Sequence, residues 1–423
     1  MQLKIKDFHF HQEEWNKPIT SGSRFFFSTV ETGRQDYYCL NSSQQFDLLI
    51  EIILFNHQRG YKSLVVFPTK RIMALYYHFL IDYLQDYGIN CTRLDRGKKG
   101  LPPGEKIAIK NTDVFLTPPE TVFQQASFRG LFEYPGLQIV ILEFPGLGAQ
   151  ESVPSEFIGL PFSLSFQRIN PPANFDFNKV SLDSRNKLDY LQELAEKNNK
   201  PLFIYANQIQ RVLELYHGLK KMMPGRQPRI WYTHSGFCSS QRQHVLNAIN
   251  HQLAEIIVTN ELLDLRISPE IGETQRLIFD LPLSLEEFYL KSRPGLYPLS
   301  VHLLWNKEDL RENENVLKMI FPEKKAMMPL LKKIDEMVCS EGKKLDRQQV
   351  IRALKVSFPH FPRPALKHAL RVWKEMEGGG LESSGEFLQG EREKNSFSSL
   401  KSLLNQEDDR VTDFLLEGVE TGE

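Results

Sequence analysis

Between Asp36 and about Ile169 the chain alternates short apolar runs with longer amphipathic stretches. YYCL, SLVVF, DVFLT and LQIVILEF are almost continuously apolar and too short for helices, the pattern of strands buried on both faces. QFDLLIEIILFNHQ and RIMALYYHFLIDYLQDYG instead repeat apolar residues every three or four positions, the pattern of helices. Strands separated by helices predict a parallel sheet of βαβ units. A Pro-rich break at Asn170–Ala173 interrupts the pattern. It restarts with a helix, DSRNKLDYLQELAEKN, and the strands PLFIYA, RIWYTH, EIIVTN and RLIFDLP, which predict a second α/β unit.

After about Asp309 the strands stop, and helices are predicted from Lys325 to Cys339, Arg347 to Ser357 and Pro364 to Glu377. Three helices followed by the Gly-rich run GGGLESSGEFLQGEREKNS suggest a small winged-helix-like domain with a wing or loop, then a polar tail with a weak last helix. The chain thus divides into residues 1–35, an N-terminal strand or linker; 36–180 and 181–310, two α/β lobes; 320–385, the helical domain; and 386–423, the tail.

The length, 423 residues, fits this division at roughly 150 residues per domain. A net charge of -1 excludes a chain-wide basic field, so any nucleic-acid contact must use a local patch. One such patch exists: between Phe321 and Met376 there are 13 Lys/Arg against 6 Asp/Glu. The third predicted helix there places Arg363, Lys367, Arg371 and Lys374 on one stripe and Leu366, Leu370 and Trp373 on another. A basic stripe on such a helix suits phosphate binding; a solvated helix face is the plainer alternative.

Cys39, Cys91, Cys238 and Cys339 contain no C-x-x-C pair, which argues against a zinc site or a disulfide framework and for a reducing compartment. His234, His360 and His368 have no metal-ligand spacing with one another or with a carboxylate, so no metal is expected. No apolar stretch of about 18 residues occurs and the N-terminus lacks an apolar export core, so a cytoplasmic protein without a membrane segment is expected.

The run from Lys200 to Leu310 resembles the second RecA-like lobe of RecQ helicases in the order and spacing of its segments, including Thr233-His234-Ser235-Gly236 after a strand and Asp280-Leu281-Pro282 before Phe288-Tyr289. The resemblance implies two RecA-like, P-loop NTPase-type lobes, and it locates residues by register. The phosphate loop falls at Ser42, Ser43, Gln44 and Gln45, with Gln45 in place of the lysine and Phe46 in place of the hydroxyl residue that binds magnesium. Glutamine supplies no charge to a β/γ-phosphate and phenylalanine ligates no metal. Leu142 stands where the metal aspartate belongs, leaving Glu143. Only Arg293 remains of an arginine pair, and Leu263 and Leu265 replace glycines after Thr259. These losses all remove the same reaction, which implies a degenerate nucleotide site, no bound cofactor and no ATPase.

The strand-touching segments of such helicases correspond to Val66-Phe67-Pro68-Thr69-Lys70 and Phe115-Leu116-Thr117-Pro118-Pro119-Glu120, so Thr69, Lys70 and Thr117 are candidate backbone contacts; a common turn is the alternative. MQLKIKDF at the N-terminus and Asp183-Ser184-Arg185-Asn186 resemble parts of long bacterial RecJ exonucleases, which carry a helicase-like C-terminal extension. That likeness implies the C-terminal part of a single-strand-specific nuclease, without the Asp-His-His cluster such nucleases use to hold metal. The sequence leads to a DNA-binding accessory module, with single-stranded or duplex DNA, a RecJ-type nuclease or a single-strand-binding protein as partners. Two alternatives stay open: a divergent active helicase and a protein-interaction scaffold.

Overall fold

The computed structural model describes residues 35–39, 42–94, 111–118, 136–142, 162–166, 175–181, 187–197, 200–262, 267, 271–293, 298–341, 347–376 and 384–416. Two six-stranded sheets, parallel throughout, and a helical C-terminal region make up the architecture.

The first sheet holds β1 (Gln35–Cys39), β2 (Lys62–Val66), β3 (Cys91–Arg93), β4 (Val114–Thr117), β5 (Leu137–Leu142) and β6 (Phe162–Phe166) in the order β1-β6-β5-β2-β4-β3. Central β2 and β4 are buried along their whole length, around the apolar residues Leu64, Val65 and Val66 of the one and Val114, Phe115 and Leu116 of the other. Helix α1 (Ser42–Gln58) buries Phe46, Leu49, Ile50 and Ile53, and α2 (Lys70–Gln85) buries Ile72, Met73, Tyr76, Phe79, Leu80 and Leu84. After α2 the chain turns at Gly88, whose φ of 68° lies in the left-handed region that glycine enters without a steric penalty.

The second sheet holds β7 (Asp176–Ser181), β8 (Leu202–Tyr205), β9 (Ile230–Thr233), β10 (Ile256–Thr259), β11 (Thr274–Ile278) and β12 (Pro298–Trp305) in the order β7-β12-β11-β8-β10-β9. Asp176–Ser181 hydrogen-bonds to β12 from Ser300 to Trp305 and so joins this sheet, upstream of the boundary expected at residue 181. Its side chains are mostly half-exposed at the sheet edge, which is why it carries no apolar run.

Helices α3 (Lys187–Lys197) and α4 (Ile209–Met222) cover one face, packing Leu191, Val212, Leu215 and Leu219 with Ile204, Ile256 and Val258. Residues of α5 (Ser239–Asn250) and α6 (Leu285–Ser292), among them Val245, Leu246, Phe288 and Tyr289, belong to a larger cluster that also contains Phe46, Tyr76 and Phe79 of the first lobe. One apolar cluster therefore runs through both lobes, beside the separate one under α3 and α4.

Helix α7 (Lys307–Ile320) opens on a reciprocal cap between Asn306 and Asp309. Helices α8 (Lys324–Glu341), α9 (Arg347–Ser357) and α10 (Arg363–Met376) then enclose their own core of Met327, Leu330, Ile334, Leu354, Leu366 and Leu370. Beyond them the expectation of a polar tail fails. Gly385–Leu404 and Asp408–Leu416 are helices, α11 and α12, which bury Phe397, Leu400, Leu404, Val411 and Leu415 in the core shared by the lobes. No wing strand occurs among the described residues. No helix among them is long and apolar enough to cross a membrane.

Candidate functional site

At the end of β1 the first turn of α1 consists of Ser42, Ser43, Gln44 and Gln45. Gln45 is fully buried. Its Nε2 donates to the Leu164 carbonyl at 3.0 Å, and its Oε1 accepts from the Tyr76 hydroxyl at 2.9 Å. Both ends of the amide are thus engaged inside the lobe, tying α1 to β6 and α2. Phe46 is buried beside the Tyr76 ring, at 6.2 Å between centroids. Leu142 closes β5 in the core, while Glu143, Leu263 and Leu265 lie outside the described residues.

Two buried charge clusters join the lobes. In the first, Arg71 of α2 holds the Glu287 carboxylate of α6 with both Nε and Nη2, and Lys291 Nζ donates to Glu287 Oε1 at 2.7 Å. Burial alone would raise the Glu287 carboxyl, but Arg71 and then Lys291 outweigh it and hold it well below the usual carboxylate range. In the second, Arg242 of α5 is 2% exposed and has a partner for each nitrogen: Nε donates to Glu261 Oε1 at 3.1 Å, Nη1 to Asp82 Oδ2 of the first lobe at 2.6 Å, and Nη2 to the Phe237 carbonyl at 2.9 Å. The Thr233 hydroxyl donates to the remaining Glu261 oxygen at 2.9 Å. A guanidinium supplied with acceptors in this way is tolerated in a core where a lone charge is not.

These residues escaped the sequence reading. The available signal was a charge on a buried stripe: Arg242 shares its helix face with Val245 and Ile249.

Helix α11 bridges the seam. Arg392 Nη1 donates to the Pro68 carbonyl of the first lobe at 3.3 Å. Ser396 Oγ accepts from the Leu285 amide at 2.9 Å and donates to Glu286 Oε2 of the second lobe at 2.6 Å. Gly390 lies against Phe321, where an added Cβ would fall 3.0 Å from a ring carbon. Arg293 is drawn into the same assembly: it is 3% exposed, it sits 4.9 Å over the Tyr289 ring, and its Nη1 donates to the Leu415 carbonyl of α12 at 3.4 Å.

The first-lobe candidates cluster at the C-terminal ends of β2 and β4. Thr69 is the N-cap of α2, its Oγ1 accepting from the Ile72 amide at 3.2 Å, and the Thr117 hydroxyl donates to the Pro118 carbonyl at 3.0 Å; neither residue has exposed surface. Lys70, in the first turn of α2, is half-exposed.

Helix α10 separates its faces cleanly. Ala365, Leu366, Ala369, Leu370 and Val372 are buried, whereas Arg363, Arg371 and Lys374 are exposed and Lys367 is half-exposed. Trp373 is half-buried and donates through Nε1 to Asp335 of α8, which fixes the helix on its neighbour. His368 is buried against Phe321, with ring centroids 5.0 Å apart, and His234 packs on Phe237 at 4.4 Å. Among the described residues no group of three or more His, Cys, Asp or Glu is placed to hold a metal ion.

No protein-family model matches the chain, and no curated protein is similar to it in sequence. Among solved structures, the chain is similar to Mycobacterium smegmatis helicase Lhr bound to ssDNA and AMP-PNP, with 14% identity and a TM-score of 0.41 over 86% of this chain and 56% of that one. It is also similar to the DUF1998 helicase MrfA bound to DNA and AMPPNP, with 14% identity and a TM-score of 0.41 over 70% and 49% of the two chains. A third similar structure is the DEAD-box helicase Mss116 bound to ssRNA and UDP-BeF, with 12% identity and a TM-score of 0.41 over 86% and 87%. The matched region spans about half the length of the Lhr and MrfA chains.

Proposed function

We propose that the chain is a helicase-like, nucleic-acid-binding accessory module of DNA recombination or repair, in which the two lobes form a fixed platform and α10 grips the strand, without nucleotide turnover of its own. The observation that carries this reading is the outer face of α10, where Arg363, Lys367, Arg371 and Lys374 line one side of a helix whose other side is buried, in a chain of net charge -1. Cations at helical spacing match the repeated charge of a phosphate backbone and bind it largely without regard to sequence. Lys70 adds a backbone contact on the first lobe, whereas Thr69, the N-cap of α2, and Thr117 have no exposed surface for one.

The absence of turnover is supported by Gln45, whose amide is engaged inside the lobe, and by Arg293, which is buried with its Nη1 donating to the Leu415 carbonyl of α12. Parting the lobes would take Asp82 from Arg242 and Arg71 from Glu287, leaving each with the partner in its own lobe, Glu261 and Lys291. The partner we favour is a RecJ-type single-strand-specific nuclease, joined to or bound by this module. That choice rests on the likeness of Met1–Phe8 and Asp183–Asn186 to RecJ, both outside the described residues.

Fluorescence anisotropy of a labelled oligonucleotide tests the contact. Affinity should fall steeply and linearly on logarithmic axes as salt rises. Lys367→Glu with Arg371→Glu should weaken all sequences alike and flatten that slope by roughly one unit for each phosphate left without its cation. Binding that is indifferent to both substitutions would refute the assignment of α10.

A further inference from the structure

The turn that leads into α10 differs from the rest of the surface. Val356, at the end of α9, is 83% exposed, more than any other large hydrophobic residue described. Beside it Pro359 and His360 are exposed, and the His360 ring lies 4.6 Å from the half-buried Phe361 ring, which in turn lies 6.3 Å from Phe358. The turn is braced from within. Lys355 Nζ donates to the Pro359 carbonyl at 2.6 Å and to the Phe361 carbonyl at 2.8 Å, the Phe361 amide donates to the Phe358 carbonyl at 3.2 Å, and Pro359 and Pro362 each fix a φ angle. Arg352 and Arg363 stand exposed on either side.

We infer that this α9–α10 turn is a base-stacking knuckle, so that the nucleic acid held by α10 is engaged at unpaired bases, in a single strand or at a frayed end. The inference rests on the nucleic-acid reading of α10 and adds the class of substrate. An apolar, aromatic projection between cations suits a ligand that is apolar on one side and anionic on the other. Nucleobases offer apolar faces next to phosphates, but inside a duplex those faces are stacked away and only the charged backbone is presented. A rigid knob also binds with little ordering cost, which a mobile loop of the same composition could not do.

Anisotropy with three labelled probes of one sequence tests it: a single strand, a blunt duplex and a duplex with an unpaired end. The wild-type chain should prefer the single strand and the frayed duplex, and Val356→Ser with His360→Ser should weaken those two by at least about fivefold while leaving the blunt duplex unchanged. Arg371→Glu should weaken all three. Both knuckle residues are on the surface, so the paired variant should melt with the wild type, which a thermal scan by circular dichroism checks. Equal affinity of the wild type for all three probes, or a knuckle variant that binds like the wild type, overturns the knuckle while leaving the α10 contact standing. No binding of any probe at low salt overturns the α10 contact itself, and the knuckle with it.

Discussion

Arg242 of the second lobe and Asp82 of the first meet across the seam at 2.6 Å, with Glu261 on the other side of the guanidinium and the Phe79 ring 5.8 Å below it. Residues 160 positions apart in sequence thereby close one end of the contact between the lobes.

Arg242→Ala leaves Glu261 buried without its cation and should lower unfolding stability by about 3–5 kcal/mol, whereas Asp82→Ala, at the more accessible end, should cost less. A double-mutant cycle by chemical denaturation gives the coupling between them, expected at about 1 kcal/mol or more. Strictly additive losses would mean that the pair does not join the lobes.

How much of this was legible in the sequence depended on where each residue's partner lies. Strands β2, β8 and β10 are buried on both faces and announce themselves as apolar runs, and helices α8 to α10 follow from apolar spacing alone, so the basic stripe of α10 could be read directly. Edge strand β7 is half wetted and carries no such run. Helix α11 reads as a tail because its buried side includes Gln389, Glu393 and Ser396, and Ser396 is matched by Leu285 and Glu286, 111 and 110 positions away. Register also named Gln45 and Arg293, but neither the inward hydrogen bonds of the one nor the α12 contact of the other can be inferred from local pattern.

Glu51 on α1 carries a pH dependence of its own. Burial, with Asp47 one turn earlier, pushes its carboxyl up from 4.5 to about 7. Its folded pKa thus lies above the unfolded one, so the neutral acid favours folding; that contribution is complete below about pH 4.5 and lost as pH rises through about 7. Thermal melts of Glu51→Gln and the wild type should nearly coincide at pH 4.5, with the variant ahead by on the order of 2 kcal/mol at pH 8. A gap that stays constant across this range would remove Glu51 as its source.

Gly390 of α11 packs against Phe321, which follows α7. A side chain there meets Phe321 at 3.0–3.2 Å, so Gly390→Leu should destabilise the fold by about 1–3 kcal/mol despite the better helix propensity of leucine. Denaturant titration decides between the two effects, and a stabilised variant would show that α11 does not pack on Phe321.

In the proposed module the two lobes stay together while α10 holds nucleic acid. Single-molecule energy transfer between dyes at Gln58 and Gln210, both exposed and one on each lobe, tests this most directly. With a bound oligonucleotide confirmed by anisotropy, a single interlobe distance should persist unchanged when Mg·ATP is added. Exchange between two distances that requires Mg·ATP would contradict the fixed platform and make the chain a motor.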